Sequence, residues 1–203
     1  MTFLPSPAFG DALPIEASPA TLAFLAQRRS ASALTLTAPA PGVGELDVLL
    51  RLAARVPDHG KLAPWRFVIL DGEAKSTFVA KLEAIAHRRP DAAKAVAKLG
   101  KIRVPPLTVA VISHVFEGGE IPAWEQRLSA GAVCLQLVIA AEAMGYGANW
   151  ITDWYAYDAE ALVLLGLAEG EQVAGFVHLG TAGEAPLERV RPDLAAITSR
   201  WGA

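Results

Sequence analysis

One cysteine, Cys134, is all that the 203-residue chain contains. A single thiol excludes an intrachain disulfide and a cysteine-based zinc site. Its place in an apolar helical stretch makes it a packing residue. A basic surplus is absent as well: 18 Lys and Arg face 21 Asp and Glu, for a formal net charge of -3. That balance excludes an electrostatic nucleic-acid binder. No Lys or Arg precedes Arg28, and Pro5, Pro7 and Pro14 interrupt the N-terminal segment. The pattern of a secretory signal is therefore missing, and a cytoplasmic protein is expected. The low hydrophobicity of disordered chains is missing too, since 53% of residues are apolar. A chain of this length buries roughly 70% of its unfolded surface and needs no staples.

Long hydrophobic runs are nearly absent. The exception, Leu128–Gly145, approaches the minimum length of a membrane span, but Gln136 and Glu142 interrupt it. The better reading is a helix buried on most sides, in the core or in a subunit interface, with no membrane partner. Its small residues Ala130, Gly131, Ala132, Ala140 and Ala141 suit close packing against a symmetry mate.

Common catalytic signatures are also lacking. There is no G-x-G-x-x-G after a strand, no phosphate-loop motif, no H-E-x-x-H and no G-x-S-x-G. The histidines His59, His87, His114 and His178 are scattered without metal-ligand spacing. No metal site is expected, and His114 and His178, at strand ends, read as structural.

What is present is an ordered series of short elements. Residues 1–17, rich in Pro, Ala and Gly, read as an N-terminal extension. Ser18-Pro19 starts a helix running to about Arg28. Ser30–Val43 reads as a loop. Gly44–Arg55 places Leu46, Leu49, Leu50 and Ala53 on one helical face before Pro57. Arg66–Leu70 is β-rich. Glu73–His87 stripes Phe78, Val79, Leu82, Ile85 and Ala86 along a helix. Asp91–Lys101 is a shorter helix and Leu107–Ser113 a strand. Pro122–Met144 is the long helix, and Gly147–Thr152 and Val173–Gly180 are strands. Between those strands, Asp158 caps a short helix to Leu165. Ala182–Ala203 reads as a polar arm. Helices outweigh four strands without regular alternation, so the class is α+β.

Three segments carry polar chemistry. Arg28-Arg29-Ser30 offers two guanidinium groups and a hydroxyl, a set that can fork onto phosphate oxygens or merely complement a helix end. Arg55 to Phe67 is a loop stiffened by Pro57 and Pro64 that displays Arg55, His59 and Lys61, either toward a ligand or as a connector with Trp65 in the core. Gly145 to Asp153 runs from the long helix through a glycine-rich turn into Trp150-Ile151-Thr152, where Trp150 and Trp154 read first as core aromatics.

Together these segments resemble the FMN-dependent nitroreductase superfamily, in particular its small single-domain NAD(P)H nitroreductase branch. The resemblance rests on the RRS at 28–30, Pro57-Asp58-His59, Pro64-Trp65, Trp124-Glu125-Gln126, the turn into Trp150, and Gly175-Phe176-Val177-His178-Leu179-Gly180-Thr181. It covers about residues 18–182 and implies one FMN-binding domain over 18–203. The implied fold is a three-layer sandwich, a small antiparallel sheet surrounded by helices, assembled as a homodimer with FMN at the interface. By the resemblance Arg28 and Ser30 hold the FMN phosphate, with Arg29 nearby and Arg191 as a further contact from the C-terminal arm. Arg55 and His59 reach the flavin from the other subunit, and Lys61 stands where relatives present a polar flavin contact. Trp150, Ile151 and Thr152 line the flavin, and Ala140–Gly145 lie near the nicotinamide nucleotide.

The implied activity is hydride transfer from NAD(P)H through FMN to a nitroaromatic, a quinone or a similar small-molecule acceptor, in ping-pong order. No side chain is catalytic in its own right, because the chemistry belongs to the flavin. Two features leave other readings open. Ile151 stands where the branch often has Arg, which leaves room for reductive dehalogenation or enone reduction. A non-catalytic flavin carrier also fits the lack of an acid or base. The additional N-terminal residues have no counterpart in the branch.

Overall fold

The structure is a computed structural model and describes residues 7–202. The first six residues of the expected N-terminal extension lie outside it. Residues 7–17 form no helix or strand and are exposed. Ser18 then caps α1 (Pro19–Gln27), its hydroxyl accepting from Thr21 N–H at 3.3 Å, with Pro19 fitting the first turn because it has no N–H to lose. No residue of α1 is buried.

The expected loop over 30–43 contains a 3-10 turn (Ala33–Thr35) and a two-residue strand, β1 (Leu36–Thr37). The sheet therefore has five strands rather than four. Two residues are too few to show an alternating pattern, and β1 exists because β5 offers it an edge. α2 (Val43–Ala53) follows, then β2 (Trp65–Asp71) and α3 (Gly72–His87). The single helix expected over 91–101 is broken into α4 (Ala92–Lys98) and α5 (Gly100–Arg103). Gly100 sits at the break, where a Cβ would come within 3.2 Å of Leu34. β3 (Leu107–His114), α6 (Ala123–Ala143), β4 (Gly147–Ile151), α7 (Ala159–Leu164) and β5 (Glu171–Ala182) complete the main body. The polar arm is not wholly irregular, since it carries the four-residue α8 (Leu194–Ile197).

All pairings are antiparallel. β5 is the hub: β3 lies on one side and carries β2 beyond it, while β4 and β1 share the other side. The alternation of β3 and β5 sorts side chains to two faces. Ala110, Ile112 and Phe176 pack with Phe78, Leu82, Ile85, Leu99 and Ile102 under α3, α4 and α5. Val109, Val111, Val177 and Leu179 pack with Leu49, Ala53, Val133, Leu137 and Ala141 under α2 and α6. The result is an α+β sandwich of three layers, helices on both faces of a small antiparallel sheet. His178 lies within β5 rather than at its end; it is fully buried and its Nδ1 meets the Thr108 hydroxyl at 2.9 Å. Burial holds its imidazole neutral, at about 3. Its Nε2 is buried without a hydrogen-bond partner, so the satisfied structural histidine expected here is satisfied at one ring nitrogen only.

α6 sits against the sheet through Ala130, Val133, Leu137 and Ala141, but leaves Trp124, Leu128 and Leu135 exposed. Among the described residues no helix is long and apolar enough to cross a membrane.

Candidate functional site

α1 ends at Gln27, and the chain turns so that Arg28, Arg29 and Ser30 follow directly. The turn is tied to β4 by two bonds. Ala31 N–H donates to the Ala148 carbonyl at 3.0 Å, and the Asn149 amide nitrogen donates to the Ala31 carbonyl. Beyond β5 the C-terminal arm returns over the same place, where Arg29 Nε donates to the Leu187 carbonyl at 3.1 Å. These ties enclose a cavity of about 480 Å³. Arg28, Arg29, Ser30, Asn149, Arg189 and Arg191 are among its walls. Four guanidinium groups thus face one space, with Glu184 as the one carboxylate in the lining.

The arginines are partly engaged. Arg28 Nε bonds Glu142 Oε2 at 3.1 Å and its Nη2 donates to Ser30 Oγ at 3.3 Å. Glu142 is nine-tenths buried at the end of α6. Burial pushes its carboxyl above the usual range, against the pull of Arg28 and Arg29. Arg191 holds Glu188 at 3.0 Å through Nη2. Each guanidinium carries five N–H donors, so donors remain for a ligand. The set fits an oxyanion with several acceptor oxygens.

A second cavity of about 290 Å³ adjoins the first, sharing Arg28, Arg29, Ala31 and Pro186 with it. Phe24, Tyr146, Glu142 and Gly145 line it. The stretch Ala140–Gly145 therefore meets open space through Glu142 and Gly145.

The Arg55–Pro64 loop lies elsewhere. None of Arg55, His59 and Lys61 lines the arginine cavity. The Asp58 carboxylate accepts from Leu62 N–H at 3.1 Å and Ala63 N–H at 2.8 Å, which holds Lys61 and Ala63 at positive φ. His59 Nδ1 lies 2.7 Å from Glu125 Oε2, so the Pro-Asp-His and Trp-Glu-Gln segments meet. Gln126 closes the neighbouring turn with bonds to the Phe116 N–H and carbonyl and the Ile121 carbonyl. Trp65 is half-buried; its Nε1 donates to Ser129 Oγ, which donates to the Pro57 carbonyl. His59 and Ser129 border an apolar pocket of about 280 Å³ on α6. Arg55 and Lys61 project into solvent.

Trp150, Ile151 and Thr152 continue from Asn149 but do not line the arginine cavity. Trp150 is 39% exposed, not a core residue. Thr152 Oγ1 accepts from the Tyr157 hydroxyl at 3.1 Å. Trp154 is half-buried, with Arg89 over its ring at 4.8 Å and its Nε1 on the Ala95 carbonyl. Within one chain the expected residues thus fall into three groups: Arg28, Arg29, Ser30 and Arg191 around the cavity, Trp150 to Thr152 on β4, and Arg55, His59 and Lys61 on the loop. Sequence reasoning missed Asn149, although it lies inside the glycine-rich segment, and Glu142 as the partner of Arg28. Arg189 joins Arg191 on the same arm at the cavity wall.

Among the described residues no cluster of His, Cys, Asp or Glu could hold a metal ion.

The fold is a three-layer α+β sandwich with an arginine-lined cavity at one edge, and comparison with known proteins gives the family. Residues 25–181 match the Nitroreductase family, and the chain belongs to it. It is therefore an enzyme of the oxidoreductase class. The protein named "Putative NAD(P)H nitroreductase YdjA" of Escherichia coli (strain K12) is 36% identical over 180 residues, 88% of this chain and 91% of the relative. A Haemophilus influenzae relative with the same NAD(P)H nitroreductase name is 31% identical over 166 residues, 73% of this chain and 82% of its own. Among solved structures, a nitroreductase-like family protein from Bacillus cereus superposes with a TM-score of 0.80 at 20% identity, over 94% of this chain and 100% of its own. A nitroreductase with bound FMN from Bacteroides fragilis gives 0.68 at 20% identity, over 90% and 100%.

Proposed function

We propose that the chain is an FMN-dependent reductase that takes a hydride from NAD(P)H and delivers it to a nitroaromatic, a quinone or a similar acceptor. The observation that carries the cofactor assignment is the cavity in which Arg28, Arg29, Arg189 and Arg191 converge beside Ser30. A neutral acceptor can use only part of what four guanidinium groups offer, whereas a phosphate dianion adds ion pairing and several acceptor oxygens to bonds about twice as strong as neutral ones. The FMN-bound relative and the NAD(P)H nitroreductase names support the same reading. When bound, FMN would supply the hydride chemistry, which no side chain of this site can supply.

The chain's own groups would bind and orient. Arg28 and Ser30 would hold the phosphate, with Arg29 and Arg191 completing the ring of positive charge. Trp150, Ile151 and Thr152 would border the ring system where β4 leaves the sheet. Arg55, His59 and Lys61 would act from a second copy. The exposed stripe Trp124, Leu128 and Leu135 on α6 suits such a homodimer, in which the sites would be completed across the interface. We take residues 18–203 as one FMN-binding unit behind the 1–17 extension, working in the cytoplasm without nucleic-acid or membrane partners.

NAD(P)H and the acceptor would use one space in turn, so the nucleotide must leave before the acceptor enters. Initial rates at several acceptor concentrations should then give parallel double-reciprocal lines; intersecting lines contradict a shared site. Ile151 gives a specific reason to widen the acceptor panel. Its aliphatic side chain puts no charge beside the acceptor, so halogenated aromatics and enones belong in the assay with nitro compounds and quinones.

A further inference from the structure

Glu142 stands where a carboxylate is disfavoured twice over. It interrupts the apolar run of α6 in the last turn of that helix, where the dipole opposes negative charge. Its side chain is nine-tenths buried, and a buried charge is costly unless it is paired and hydrogen-bonded. Oε2 accepts from Arg28 Nε at 3.1 Å, while Oε1 is buried without a hydrogen-bond partner. Among the described residues Arg28 is thus the one hydrogen-bonding partner of this carboxylate.

The bond takes hold of one edge of the guanidinium. Glu142 accepts from Nε, and Ser30 Oγ accepts from the neighbouring Nη2 at 3.3 Å. Nη1, at the other end of the planar group, makes no hydrogen bond among the described residues and is not buried. Arg28 lines the arginine cavity and the one adjoining it, so this free end opens onto that space. The guanidinium is a rigid fork, so fixing one edge fixes the direction of the other. We infer that Glu142 is a positioning residue: its carboxylate holds Arg28 by Nε and thereby aims the Nη1 end of the guanidinium at the phosphate of the bound cofactor. The inference rests on the cofactor reading above for the identity of the ligand. Two effects of opposite sign meet here. A carboxylate near an anion site repels the anion, whereas a guanidinium already held in place loses less freedom when the anion binds. Aiming outweighs repulsion.

The test uses full-length protein freed of any flavin, titrated with FMN and with riboflavin, which has the same ring system and polyol but no phosphate. Glu142→Ala removes a negative charge beside the site, so repulsion alone would have the variant bind FMN more tightly. Aiming predicts the reverse: FMN binding about tenfold weaker, the worth of one charge-assisted hydrogen bond, with riboflavin binding unchanged. Glu142→Met fills the same space without an acceptor and carries the same prediction should the alanine variant fail to fold. Glu142→Gln keeps an oxygen that can accept from Nε and should retain most of the preference for FMN over riboflavin. In an Arg28→Ala background, Glu142→Ala should not weaken FMN binding further. The inference is overturned if the alanine and methionine variants bind FMN as tightly as the wild type or more tightly, or if they lose FMN and riboflavin equally. It is also overturned if Glu142→Gln falls as far as Glu142→Ala, or if a further loss appears without Arg28. A wild type that takes up no FMN refutes the cofactor reading itself, and the inference with it.

Discussion

The indole of Trp150 lies across Gly175: a methyl group there would fall 1.9 Å from Nε1 and 2.3 Å from Cδ1. The same Nε1 donates to the Ala174 carbonyl at 3.3 Å. The β3–β5 register shifts at this point, Val111 standing opposite Gly175 and Ile112 opposite Val173. Ala174 is the extra residue of that irregularity, outside the paired register. Gly175 leaves the space that Trp150 fills, whereas a methyl group at Gly131 would meet the other end of the indole only at an ordinary 3.9 Å.

Gly175→Ala should therefore displace Trp150. Forcing a methyl group into occupied space costs about 1–3 kcal/mol. At this chain length each kcal/mol moves Tm by about 2–4 °C. Thermal melts should show that loss together with a red shift of tryptophan emission, and Trp150→Ala placed on top of Gly175→Ala should recover most of the stability. An unchanged Tm and emission spectrum would contradict the packing described.

Arg28 pairs with Glu142, and the proposed phosphate contact can be separated from that pairing. On the proposed assignment, Arg28→Ala removes a charge-assisted phosphate contact of about 1.5–3 kcal/mol. FMN affinity should fall by one to two orders of magnitude, at about 1.4 kcal/mol per decade. It also leaves Glu142 buried without its counterion. Because burial already raises the Glu142 carboxyl, its ionisation costs stability as pH rises through its folded value. Without Arg28 that loss grows, so the variant should be nearly as stable as wild type in acid and less stable near neutrality. Adding Glu142→Gln should restore the neutral-pH stability but not the FMN affinity. Denaturant titrations at several pH values and flavin-fluorescence titrations read the two effects apart.

The C-terminal arm should matter for the cofactor rather than the fold. It brings Arg189 and Arg191 to the cavity but adds no residue to either core. Removing residues 184–203 should weaken FMN binding at least tenfold, flatten its dependence on ionic strength and leave Tm of the flavin-free protein nearly unchanged. Equal FMN affinity in the shortened protein would remove the arm from the site.

At the far end of the sheet, Arg66 grips Glu171 with two bonds of 2.7 and 2.6 Å. Those bonds, with help from Ala168 N–H, hold the Glu171 carboxyl at about 2 against the cost of burial. A depressed carboxylate contributes stability above the usual range and loses it as pH falls toward 2. Glu171→Gln should therefore lose about 1.5–3 kcal/mol at pH 7 and much less near pH 2. Unfolding measured across that interval checks the slope.

The fold was largely legible because its helices are strongly striped. Phe78, Val79, Leu82, Ile85 and Ala86 are all buried on α3, as their spacing requires. Asp158 caps α7 through two backbone N–H groups. β1 was not legible, since two residues hold no period and the edge of β5 makes the strand. The break between α4 and α5 falls at Leu99-Gly100, and a Cβ at Gly100 would press on Leu34, a neighbour far away in sequence. At the site, Arg28, Arg29 and Arg191 were named through the family resemblance, because a basic pair at a helix end can equally complement the helix dipole. Glu142 and Asn149 could not be named, because their importance lies in what they face: a guanidinium 114 positions away and a backbone carbonyl 118 positions away. The His59–Glu125 bond joins two segments that the resemblance had treated separately.

The central claim is that this chain binds a flavin that NAD(P)H can reduce. Its most direct test is the visible absorption spectrum of the purified protein, reconstituted with FMN and recorded without oxygen before and after addition of NADH or NADPH. The account predicts the two flavin bands and their bleaching by at least one nucleotide. A protein that takes up no FMN, or whose flavin bands persist under excess of both nucleotides, would contradict it.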